Sequence, residues 1–133
     1  MEIKLETNSF FLLLKAKVFF SDIQYPVNTI LEIELNSSGF CACTTMDIDI
    51  KELKCFASKV KDLYETLHGN VILSEAYGRQ AIQFSADKSG RIHVSGMLHN
   101  CDPNGHNQTL EFENSFDQTF LKSFASSLKE IFE

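Results

Sequence analysis

The sequence has no tryptophan, two prolines, and twelve basic side chains against eighteen acidic ones. Its six glycines are scattered singly at turn-like positions, which excludes a glycine-rich phosphate loop. The cysteines at 41, 43, 55 and 101 form no C-x-x-C pair, so a four-cysteine zinc site is not expected and free, partly buried thiols are. The most apolar stretch, SFFLLLKAKVFF, is broken by Lys15 and Lys17 and is too short to span a bilayer. Acidic residues precede it, so it does not read as a secretory leader, and a cytoplasmic protein is expected. The shortage of basic residues leaves a net charge of −6. Such a surface repels phosphate backbones, which argues against direct nucleic-acid binding, and it speeds association with a basic partner.

What is present is the material of an ordinary core. Hydrophobic residues make up 44% of the chain, with twelve phenylalanines among them. At 133 residues the chain reads as one domain, 1–133. Alternation in the apolar run puts Phe10, Leu12, Leu14, Ala16, Val18 and Phe20 on one strand face, before a turn at Tyr25-Pro26. TILEIELN points Leu31, Ile33 and Leu35 inward and Glu32 and Glu34 outward, and NSSG turns it into FCACTTM as a hairpin. Asp49 can cap a helix, with Glu52 completing a capping box, and Leu53, Phe56, Ala57, Val60 and Leu63 recur at helical spacing. Strands are expected at about 71–77, 80–86 and 91–98, then at TLEFEN, and a second amphipathic helix from about 118.

The two helices align without gaps. DIKELKCFASKVKDLYE from Asp49 and DQTFLKSFASSLKEIFE from Asp117 share eight of 17 positions, and each follows an alternating acidic strand, LEIE or LEFE. A strand-rich unit followed by a helix, occurring twice, is the reading. Strands in runs closed by helices point to an α+β fold: an antiparallel sheet of seven or eight strands with both helices on its apolar face.

Candidate chemistry is sparse. HNCDPNGHNQ holds His99, Cys101, Asp102 and His106, residues of metal-ligand type, but H-x-C-x4-H matches no zinc arrangement. Asp102-Pro103-Asn104-Gly105 is itself a strong turn signal, so the loop would be polar whatever its function. No serine lies in a G-x-S-x-G context. The pairs Glu32/Glu34 and Glu111/Glu113 sit on exposed strand faces, where nothing would raise a carboxyl pKa for acid–base work. Glu75 shares a strand face with Val71, Leu73 and Tyr77 and needs a partner, Arg79 or a backbone amide.

The order of elements, the Gly39-Phe40 hairpin turn, the helix D-x-x-x-L-x-x-F from Asp49 to Phe56, SEAYGRQAIQFSADKSGRIHVSGML and the closing TLEFENSFDQTFLKSFASSLKEIF together resemble the WapI-type immunity proteins. The resemblance runs from about residue 28, keeps Asn28 in VNTILEIEL and lacks a tryptophan there. It implies a non-catalytic inhibitor without cofactor that binds the C-terminal domain of a cognate bacterial toxin, often a nuclease. Glu32, Glu34, Glu111, Glu113, His99, Asp102 and His106 are the expected contacts, with no metal. The other readings are a ligand-binding or enzymatic α+β domain, its pocket using Glu75, His93 and the 99–106 loop, or a generic interaction subunit.

Overall fold

A computed structural model describes residues 1–132. The fold is α+β, with eight strands and two helices. The strands are β1 (Glu2–Glu6), β2 (Phe10–Val18), β3 (Thr29–Ser37), β4 (Phe40–Ile48), β5 (Asn70–Ser74), β6 (Ala81–Ala86), β7 (Arg91–Cys101) and β8 (Asn107–Asp117). Helix α1 (Ile50–Thr66) follows β4, and α2 (Leu121–Phe132) follows β8 after a 3-10 turn at Gln118–Phe120. The eight strands divide into two four-stranded antiparallel meanders, β1-β2-β3-β4 and β5-β6-β7-β8, each closed by a helix.

Alternation explains which way each strand faces. Ile3 and Leu5, then Leu12 and Leu14, Leu31, Ile33 and Leu35, and Met46 and Ile48 turn inward from the first sheet. Val71, Leu73, Ile82, Phe84, Ile92, Val94, Phe112 and Phe116 do so from the second. These residues form one apolar cluster with the helices. Phe84 of β6 lies between Phe56 of α1 and Phe124 of α2, with ring centroids 6.1 and 5.8 Å away. Phe10 of β2 stacks on Phe112 and Phe116 of β8, joining the inner faces of the two sheets.

The helix alignment holds in space. Leu53, Phe56, Ala57 and Val60 of α1 are buried, as are Leu121, Phe124, Ala125 and Leu128 at the matching positions. Asp49 accepts from the Lys51 amide and Asp117 from the Thr119 amide, the same cap in each unit. The expected capping box is replaced by a different device. Buried Asn28 accepts from the Ile50 amide at 2.8 Å and donates to Asp49 Oδ1 at 3.3 Å, satisfying an orphan helix N–H from outside the helix.

A β4 left at the edge of its sheet would expose free carbonyls. Two of them are covered by the second unit: Ala76 N–H donates to Asp47 O at 2.8 Å, and Gln80 Nε2 to Thr45 O at 2.8 Å. Gln80 is buried, and its carboxamide also donates to Glu75 Oε2 and accepts from the His99 amide. At the other side of the seam Asn114 donates to Ser9 O and Ser37 Oγ, both at 3.0 Å.

Three sequence expectations change. A strand over residues 2–6 was not expected, because EIKLE is short and mostly charged; it pairs with β2 and is covered by α2. Phe20 does not continue the inner face of β2, since the strand ends at Val18 and Phe20 opens an exposed 3-10 turn. Tyr77 does not share a strand face with Val71 and Leu73, because β5 ends at Ser74 and Tyr77 lies in a turn with φ +58°. The free thiols are as expected, but all four are exposed.

β7 and β8 outrun their sheet. The last β6–β7 pair is Ala81 with Met97, and beyond it Leu98–Cys101 pair only with β8, forming a two-stranded arm. At Gly96, where the arm begins, β6 and β7 approach so closely that a Cβ would collide with the Ala81 carbonyl oxygen. Gly96→Ala is expected to destabilise the protein by about 1–3 kcal/mol in urea unfolding, as overpacking against backbone does. Gln80→Leu is expected to cost about 1–3 kcal/mol for each buried polar group left unpaired. Loss of hydrogen-exchange protection at the His99 amide would report the opened seam.

Candidate partner-binding surface

The outward alternation of β3 exposes Glu32 and Glu34 as the sequence predicts. In register, Glu32 lies between Lys15 and Thr45, and Glu34 between Leu13 and Cys43. Neither carboxylate forms an ion pair; among the described residues those found are Lys4–Glu6, His93–Asp87 and His106–Asp102. Both glutamates therefore face solvent with their acceptor capacity open.

The arm turns this flat face into a concave one. Asn100 of the arm lines a groove of about 360 Å³ with Leu13, Lys15, Ile33, Cys43, Thr44, Thr45 and the two glutamates. A second cleft of about 380 Å³ continues from Cys43, Thr44 and Asn100 toward Cys41, His99 and Thr109. The arm is fixed to β4 here, because Thr44 Oγ1 donates to His99 O at 2.9 Å while the His99 amide donates to Gln80 at 3.0 Å. The His99 ring lies 3.3 Å from Thr109 Oγ1. Two carboxylates without an ion pair, against one lysine, with threonine hydroxyls and Leu13 beside them, are suited to a cationic side chain with an aliphatic stem.

Other expected contacts lie elsewhere. Glu111 and Glu113 point outward from β8 opposite Met97 and Ser95. Glu113 lines a separate groove with His93, Ser95 and Ser115. Asp102 and His106 occupy the tip of the arm and are committed to each other. Asp102 Oδ1 accepts from the Asn104 and His106 amides, both at 2.9 Å, and Oδ2 lies 3.1 Å from His106 Nδ1. The turn before β7 uses the same clasp, with Asp87 accepting from the Ser89 and Arg91 amides and meeting His93 Nε2 at 2.8 Å. The ligand-type residues of HNCDPNGHNQ are thus partly a turn device, and among the described residues no three His, Cys, Asp or Glu side chains gather to hold a metal.

Hydrogen bonds hold both aspartates below the usual carboxylate range. The His106 amide is the main cause at Asp102, and the Ser89 hydroxyl followed by His93 at Asp87. A carboxylate lowered in the folded state lends stability above its unfolded pKa and loses it as pH falls through the folded value. The arm tip is therefore expected to loosen only in acid. Asp102→Ala should lower the amide protection factors at Asn104 and His106 at neutral pH to those the native protein shows in acid, and leave the thermal midpoint nearly unchanged.

Glu75, one candidate for an enzymatic pocket, takes the Gln80 amide at 3.1 Å rather than Arg79. His93 pairs with Asp87 on the outer face of the second sheet, so these groups and the arm tip are each bound to their own neighbours. Sequence reasoning missed another group. Phe20, Ile23 and Tyr25 in the β2–β3 connection, and Tyr77 in the β5–β6 turn, are large, apolar and exposed. The turn-forming Ser21 and Asp22 directly after Phe20 were the available signal.

No helix among the described residues is long and apolar enough to cross a membrane. A search of curated proteins gave no match. The family model described as "Immunity protein WapI-like family" matches residues 16–133. With that match covering most of the chain, from the end of β2 through the whole second unit, the chain belongs to the WapI-like immunity protein family.

Proposed function

We propose that this protein binds and neutralises the C-terminal domain of a cognate toxin of the polymorphic, contact-dependent type, and that the domain is a basic nuclease. The observation that carries this reading is the pair of unpaired carboxylates, Glu32 and Glu34, in the groove beside the arm of a chain with net charge −6. A nuclease must present a cationic surface to its phosphate substrate, and an acidic inhibitor is drawn to that surface from a distance. Glu111 and Glu113 on the second sheet extend the negative field, and His99, Asp102 and His106 place the arm at the rim of the contact. The protein acts as one domain in the cytoplasm of the toxin-encoding cell and works by occlusion, with no catalytic step, cofactor or metal.

The test uses the toxin domain encoded next to this chain. Tight co-purification and protection of a sensitive strain are expected. The association rate should fall steeply as salt rises, and should fall at low salt when Glu32, Glu34, Glu111 and Glu113 become glutamine. Absence of binding and protection overturns the immunity reading. Rates indifferent to both salt and substitution overturn the electrostatic part alone.

A further inference from the structure

Four of the exposed large apolar side chains belong to two loops that are tied to the chain around the start of α1. Phe20 is 74% exposed, Tyr25 58% and Tyr77 92%, with Ile23 beside them in sequence. Buried Asn28 holds their loop, its carboxamide donating to Ile23 O and Tyr25 O while accepting from the first amide of α1. The Tyr77 turn is tied to the same stretch of chain by Ala76 N–H donating to Asp47 O, two residues before the α1 cap.

These loops are built rather than loose. Val27, a β-branched residue, is held at φ +66° and Tyr77 at φ +58°. Non-glycine residues rarely adopt this region, and such strain persists only where neighbouring bonds over-determine it. Here Asn28 and the Glu75–Gln80 pair supply those bonds. A rigid loop that presents aromatic rings to solvent loses little entropy when it binds, which is the property of an affinity anchor.

We infer that Phe20, Tyr25 and Tyr77 form the affinity-determining anchor for the cognate toxin domain, separate from the acidic groove that attracts it. This deepens the proposed function and rests on it. The loops and the strands that lead into them carry both signs of charge, Asp22 and Asp47 with Lys17 and Arg79, and Lys17 lies 5.3 Å over the Phe19 ring. Long-range attraction is therefore not the role of these loops. A second copy of the chain is a poor occupant, since each copy carries −6, whereas a cationic protein offering an apolar socket matches both the rings and the overall charge.

The experiment measures association and dissociation of a catalytically inactivated form of the toxin domain with the wild-type protein and with Phe20→Ala, Tyr25→Ala and Tyr77→Ala. Thermal midpoints near wild type will show that these exposed substitutions leave the fold intact. At least one variant is expected to dissociate about tenfold faster or more, a hot-spot effect, with association rate and salt dependence within about twofold of wild type. The glutamine variants of Glu32 and Glu34 should show the reverse. Wild-type binding with dissociation unchanged in all three aromatic variants overturns this inference and leaves the immunity reading standing. No binding by the wild-type protein overturns both. A concentration-dependent dimer that Phe20→Ala abolishes would assign the surface to a second copy and overturn the inference.

Discussion

The carboxamide of Gln80 donates to Thr45 of the first sheet and to Glu75 of its own turn, and accepts from the backbone of His99 in the arm. Only a group that both donates and accepts can tie these three places at once. It does so away from water, where an unmatched polar atom is costly, so the geometry is tightly specified. The consequences spread outward from this residue. The free edge of β4 is closed, the arm is set against β4, and the turn carrying Tyr77 is held toward the start of α1. The acidic groove and the Tyr77 turn thus share one internal support, while Asn28 holds the Phe20–Tyr25 loop.

The two units are variations on one plan. Each is a four-stranded meander closed by a helix, and the matching helix positions are buried in the same order. They differ where the molecule meets its surroundings. The first unit has the aromatic loop between its second and third strands, and the second has long β7 and β8 that grow into an arm. Core positions of a repeated unit are constrained by packing against each other, whereas its connections are free to diverge.

Periodicity carried most of the fold. Both helices, the outward glutamates of β3 and the β3–β4 hairpin are legible because burial on one face imposes a regular pattern. β1 was illegible because five residues with three charges contain too little pattern, and its burial comes from α2 at the far end of the chain. The division into two sheets was hidden for a related reason: it depends on polar side chains, Gln80 and Asn114, whose partners are distant in sequence. At the site, Glu32 and Glu34 were readable, but their meeting with the arm was not, since it rests on Thr44 and Gln80 bonding to His99 far along the chain. Phe20 and Tyr77 were misplaced into strands because local alternation favours burying them. They lie outside because the backbone turns immediately before or at them. A large apolar residue that the pattern would bury and the fold exposes is the departure expected of an interaction surface.

The covering of β1 by α2 has a consequence for timing. Ile3 and Leu5 are made well before the helix that shelters their strand, with seven further strands and α1 lying between them in the chain. At ordinary rates of translation, synthesis of the intervening chain takes on the order of ten seconds, during which β1 has β2 to pair with but no roof. The first unit can form its meander on the ribosome, yet its outermost strand remains an open template until α2 emerges. A chain cut before α2 is therefore expected to be more prone to aggregation than one that contains it.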